Sequence, residues 1–137
     1  MLNPNIEILN TKQYQNIKIK VSKPYDLEER TLQFAKNIRL FIKKLPKTIG
    51  NLEDSKQLIR SSGSIGANYI EANESLSKKD FAMRTKISRK EAKESIYWLK
   101  LLDIDYNLKE LEEERTELIQ EATEIMKIFG AIIEKTK

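Results

Sequence analysis

Residues 58–74 read LIRSSGSIGANYIEANE, and how that run is taken decides the fold. Leu58, Ile59, Ser62, Ile65, Gly66, Tyr69 and Ile70 recur on the 3.6-residue period of one helix face, yet that face is poor in bulk. Inside a helix Gly63 and Gly66 each cost about 1 kcal/mol relative to alanine, so an unbroken helix requires a compensating close approach by a partner helix. The alternative is a break at Gly63. Periodicity on both sides of it argues for continuity, and hence for a helix packed tightly among others.

On the N-terminal side, Leu27, Thr31, Phe34, Ile38, Phe41 and Leu45 alternate three- and four-residue steps, the seam of a helix that Asp26 caps and Pro46 ends. Lys47 to Asn51, with Gly50, reads as a turn, and the second helix is expected to begin near Leu52 to Asp54 and run to about Glu74. Beyond it, Ser77 followed by Asp80 resembles a capping box. The third helix continues through Phe81, Ile87, Trp98, Leu101 and Leu102 without glycine or proline. After a loss of register around Asp103 to Asn107, a fourth helix carries Leu111, Leu118, Ala122, Ile125, Phe129 and Ile132, a stripe widened by Ile119, Met126 and Ile133. Helices of this length on short connections run antiparallel to their sequence neighbours. The predicted fold is all-α, an up-down-up-down antiparallel four-helix bundle over residues 25–137. Residues 1–24, with Pro4, Pro24 and the strand-like alternation Ile17-Lys18-Ile19-Lys20-Val21, read as a short extended N-terminal arm that pairs with another copy, lies on the bundle or is disordered.

The chain has 137 residues, 39% hydrophobic and 34% charged, enough for one core and one domain. It contains neither cysteine nor histidine, which removes disulfides, thiol nucleophiles, common zinc sites and the usual general base. Catalysis is not expected, and no cofactor is implied. No apolar run spans a bilayer and MLNPNIEILN lacks a secretory pattern, so the expectation is a cytoplasmic protein without a membrane partner.

Charge is distributed unevenly. From Lys78 to Lys100 eight basic residues meet three acidic ones, a local +5, whereas Asp103 to Lys127 holds nine acidic and three basic residues, a local −6. Lys78, Lys79, Arg84, Lys86, Arg89, Lys90 and Lys93 form the candidate nucleic-acid-binding set, against the plainer reading of a solvated face. Tyr97 and Trp98 point about 100° apart on a helix, so Trp98 is assigned to the core and Tyr97 to the surface. Steps of four, three and four from Ile87 reach Glu91, Glu94 and Trp98, placing two carboxylates on the expected inward line. Buried carboxylates need partners, and Arg60, Asn68 and Glu71 on the second helix are expected to complete a structural polar layer with them. A di-iron site would need histidines, a glycosidase site a sugar-sized cleft, and Gly63-Ser64-Ile65-Gly66 lacks the spacing and lysine of a phosphate loop.

Several segments carry a family resemblance: Tyr25-Asp26-Leu27-Glu28-Glu29-Arg30-Thr31, Gln57 to Ser62, Ser64-Ile65-Gly66-Ala67-Asn68-Tyr69, Ser77-Lys78-Lys79-Asp80-Phe81, and Lys90 to Glu94 with Tyr97-Trp98-Leu99. In this order they resemble the 23S rRNA intervening-sequence proteins over about residues 25 to 135. Gly66 stands where many members carry proline, and Ala72 where many carry glycine. The resemblance implies a small bacterial bundle assembled as a homopentamer, with suspected nucleic-acid binding and no settled role. A related branch resembles accessory proteins of diversity-generating retroelements, which assist a reverse transcriptase; this chain is less basic than that branch. Two functions follow as expectations: a non-enzymatic oligomer bound to RNA or DNA through the third helix, or a scaffold that recruits a protein partner.

Overall fold

A computed structural model describes residues 24–137. Four helices follow one another: α1 (Pro24–Ile42), α2 (Ile49–Asn73), α3 (Lys78–Leu101) and α4 (Lys109–Lys135). α1 packs on α2 and α4, and α3 packs on α2 and α4, so the four form the closed antiparallel bundle expected of short connections. The extended arm expected for residues 1–24 lies outside the described residues apart from Pro24, which opens α1. Proline is tolerated there because a first-turn N–H has no intrahelical partner to lose, and the helix therefore starts two residues ahead of Asp26. Among the described residues no helix is long and apolar enough to cross a membrane.

The seam of α1 is as its spacing requires: Leu27, Thr31, Phe34, Ile38, Phe41 and Leu45 are all buried. They meet Leu58, Ile65 and Tyr69 of α2 and Leu118, Ala122, Ile125 and Phe129 of α4, and the Tyr69 and Phe129 rings lie 5.4 Å apart at 60°. On α4 it is Ile133, and not Ile132, that is fully buried, while Ile119, Met126 and Ile132 are partly buried against this core, so the wide apolar stripe is covered within the bundle itself.

α2 runs unbroken through both glycines. A Cβ on Gly66 would come within 2.6 Å of Thr31 Oγ1 and 3.1 Å of its Cβ, the close approach of α1 that compensates the lost propensity. At Gly63 the nearest atom would be an Arg39 guanidinium nitrogen at 3.6 Å, an ordinary contact. The helix begins earlier than expected, at Ile49, because the Thr48 side chain accepts from the Asn51 N–H. Ser77 caps α3 in the same way, accepting from the Asp80 N–H at 3.0 Å.

Asn51, assigned by sequence to the turn, is buried inside the first helical turns of α2. Its amide nitrogen donates to Pro46 O and Asp103 O at 2.9 and 2.8 Å, and its oxygen accepts from the Asp103 N–H at 2.8 Å. One side chain thus ties the α1–α2 connection to the α3–α4 connection, with no polar atom unsatisfied. Nearby, Arg115 of α4 donates to the carbonyls of Leu99 and Leu102, supplying both hydrogen bonds and positive charge where α3 ends.

Candidate nucleic-acid interface

α3 turns an unexpectedly small set of residues inward. Thr85, Ser88, Ala92, Ser95 and Leu99 are buried, while Ile87 and Trp98 are only partly covered. Ser88 Oγ donates to Ile65 O at 2.9 Å, Ser61 Oγ and Ser95 Oγ share a hydrogen bond at 2.9 Å, and Ser95 Oγ donates to Glu91 O. A hydroxyl one atom beyond Cβ that reaches the main chain of the next helix means α2 and α3 lie very close. The expected inward line through Ile87, Glu91, Glu94 and Trp98 is therefore rotated toward one flank, because small hydroxyl residues, rather than large apolar ones, fill this seam.

With that face inward, 100° per residue sends Lys79, Met83, Lys86, Lys90, Lys93, Tyr97 and Lys100 outward on steps of four and three. All seven are exposed, Met83 by 48% and Tyr97 by 58%. The stripe is about 32 Å long at 1.5 Å per residue and contains no acidic residue. Among the described residues none of its five lysines is in an ion pair, and the one carboxylate whose titration any of them shifts is Glu94, which Lys90 helps to hold low from the flank of the stripe.

The structure brings together four of the seven basic residues singled out by sequence: Lys79, Lys86, Lys90 and Lys93. Lys78 and Arg89 are exposed but rotated toward α4, where Lys137 first, and then Arg89, holds the Glu134 carboxyl below its ordinary range. Arg84 does not join them. It lies on the α2 flank, 3.4 Å from Asp80 and 3.8 Å from Glu71. Lys100, Met83 and Tyr97 are absent from the sequence-derived set; the four-three spacing from Lys79 to Lys100 is the signal in the sequence that unites them with the lysines.

The polar layer is smaller and more solvated than expected. Arg60 lies 3.4 Å from both Glu91 carboxylate oxygens and 2.8 Å from Glu94 Oε2. Glu91 is buried, but the Arg60 side chain is half exposed, as Glu94 nearly is, so the cluster caps the edge of the α2–α3 seam instead of crossing it. Asn68 is not a member, since it donates back to Ser64 O on its own helix, and Glu71 is exposed beside Arg84. Burial, reinforced by the neighbouring Glu94, pushes the Glu91 carboxyl above its ordinary range despite Arg60. For Glu94 burial works in the same direction but is outweighed by hydrogen bonds from Glu91 and Arg60, which hold it low. Among the described residues no three metal-ligating side chains converge on a point.

On the opposite side of the bundle α1 and α4 enclose a groove of about 830 Å³ lined by Glu29, Glu110, Glu113, Glu114, Glu117 and Glu121 with Phe34, Leu40 and Leu118. Arg30 bridges one end, donating to both Glu121 oxygens at 2.7 and 2.8 Å and to Glu124 at 2.8 Å. Lys44 crosses the other to Glu114 at 2.7 Å. The bundle thus carries a basic stripe on α3 and an acidic groove between α1 and α4.

Residues 23–131 match the family model described as 23S rRNA-intervening sequence protein, a span from the start of α1 almost to the end of α4. The chain belongs to that family. The α3 stripe, the Arg60 cluster and the α1–α4 groove all lie inside the matched residues. The fold agrees with a crystal structure at 1.70 Å of a protein of unknown function from the S23 ribosomal protein family of Bacteroides thetaiotaomicron, at a TM-score of 0.69 and 33% identity. That similarity covers 82% of this chain and 99% of the other. No curated protein matches this chain.

Proposed function

We propose that this protein is a non-enzymatic, oligomeric bundle of the cytoplasm that holds RNA or DNA by its phosphate backbone on the outward face of α3. The observation that carries the reading is the row of five exposed lysines, free of ion pairs among the described residues and with no acid on the same line of the helix. Lysine is a compact point charge on a flexible stem, suited to phosphates in many geometries and to none in particular. Binding is then weakly sequence-dependent and strongly salt-dependent, because each neutralised phosphate releases counterions. Self-association multiplies the effect through effective concentration if several copies present the stripe together. Supporting assembly, exposed Leu32 and Ile70 border an apolar groove of about 490 Å³ between α1 and α2, floored by Gly63, Gly66 and Ala67. A homopentamer, the assembly that the family resemblance implies, should scatter light at several times the 16.0 kDa of one chain.

The test is a titration of labelled ribosomal RNA fragments at two salt concentrations, with wild type and the triple variant Lys86→Glu, Lys90→Glu, Lys93→Glu. One phosphate for each of the five lysines of a copy gives a slope of about −4 in log affinity against log salt. The triple variant should lose binding while keeping its helical content and oligomeric mass. Wild type that fails to shift RNA at physiological salt overturns the reading. A second reading, a scaffold for a basic protein segment, is favoured by the six glutamates of the α1–α4 groove; Glu113→Lys with Glu117→Lys would abolish capture of such a partner and leave RNA binding intact.

A further inference from the structure

We infer that Tyr97 is a stacking platform for an unpaired base, so that the nucleic acid held by α3 is single-stranded; this rests on the phosphate-binding reading above. Tyr97 stands on the lysine stripe one turn from Lys93 and one from Lys100, with more than half of its surface exposed. Its ring lies 5.0 Å from that of Trp98 at 79°. Trp98 is packed against the core, so the contact braces an exposed side chain that would otherwise sample several rotamers. A near-perpendicular pair covers at most one face of either ring, which leaves a face of Tyr97 open. Its hydroxyl has no hydrogen-bond partner among the described residues.

A positive track interrupted by an aromatic face is the arrangement that binds single strands: phosphates meet the charges and a base lies on the ring, whichever base it is. A duplex offers only its phosphates here, because its bases are already stacked within. A protein partner fits less well, since interface cores are poor in lysine and this stripe carries five with no acid among them.

The experiment uses the full chain with two labelled probes, an oligouridylate and an RNA duplex of equal length, and the variants Tyr97→Ala, Tyr97→Phe and Lys90→Glu with Lys93→Glu. Tyr97→Ala should weaken oligouridylate binding about tenfold and leave duplex affinity unchanged, while Tyr97→Phe, which keeps the ring, should retain wild-type affinity. The salt slope should not change with Tyr97, because no phosphate contact is removed, whereas the lysine variant should flatten it. Trp98, the single tryptophan of the chain, gives an independent signal: its fluorescence should change on binding oligouridylate and not on binding duplex. Equal loss for both probes, or no loss for either, overturns the stacking role while leaving phosphate binding standing. Failure of wild type to bind either probe removes both, and binding of an acidic helical peptide that Tyr97→Ala abolishes would reassign the stripe to a protein.

Discussion

The α2–α3 seam and the α1–α4 seam close one bundle by opposite means. Between α2 and α3 the residues are small, Ser61, Ser88, Ala92 and Ser95; across the contact the Ser61 and Ser95 hydroxyls bond to each other and Ser88 Oγ donates to the Ile65 carbonyl. Between α1 and α4 the outer contacts are long and charged, with Arg30 held by Glu121 and Glu124 and Lys44 by Glu114, and a groove remains between them. A seam of small residues brings backbones together and has no room to adjust. A seam of long side chains tolerates separation but depends on a few clamps whose strength solvent reduces.

The sharpest way to break this contrast is volume. Ala92→Leu, at a fully buried position of the tight seam, should cost about 3 kcal/mol in urea unfolding, whereas Gln33→Leu, facing the groove, should stay within about 0.5 kcal/mol. Equal losses at the two sites would mean that the seams are alike after all. The clamp comes next. Arg30 is only 9% exposed while Glu121 is 33% exposed, so Arg30→Ala should cost about 2 kcal/mol, less than for a fully buried pair because water can reach the stranded carboxylates. That loss should shrink in high salt, unlike the loss from Ala92→Leu, and a salt-independent deficit would show that the arginine acts through packing. A smaller effect is expected for the hydroxyl pair. A double-mutant cycle on Ser61→Ala and Ser95→Ala should report a coupling of about 1 kcal/mol; additivity would show that each hydroxyl is satisfied by its own helix alone.

The smallest effect lies in pH. Folding raises the Glu91 carboxyl, so its favourable contribution is present below the ordinary glutamate range and is lost as pH climbs through the raised value. Glu94, held low, contributes above the ordinary range and loses its contribution as pH falls through the lowered value. Glu91→Gln mimics the protonated form and should abolish the decline in stability between mildly acidic and neutral pH, leaving only the acid-side loss due to Glu94. An unchanged decline in the variant would assign that pH dependence elsewhere.

The same contrast explains what could be read in advance. α1 and α4 bury large apolar residues at regular steps, and their seams were legible from Leu27 to Leu45 and from Leu111 to Phe129. α3 buries Thr85, Ser88, Ala92 and Ser95, which by hydrophobicity resemble a surface, so Ile87 and Trp98 drew the inward line to the wrong flank. Glu91 was correctly read as buried, but Arg60 could not be recognised as half exposed without knowing how close α2 lies. Counting charge along the segment found the lysines of α3, and only the helix rotation separated Arg84 from them and admitted Lys100 and Tyr97. The Arg30 clamp left no local trace, since its partners lie 91 and 94 residues away.

Asn51 carries a consequence for motion. Loops at the end of a bundle ordinarily breathe independently, and their amides exchange with solvent at the rate of local opening. Here the Asp103 N–H is held by a side chain from a buried position 52 residues earlier, so it can be released only when the first turns of α2 move as well. Its exchange should therefore follow the slow, cooperative opening of the whole bundle, and the α1–α2 and α3–α4 connections, separate along the chain, behave as one unit of unfolding.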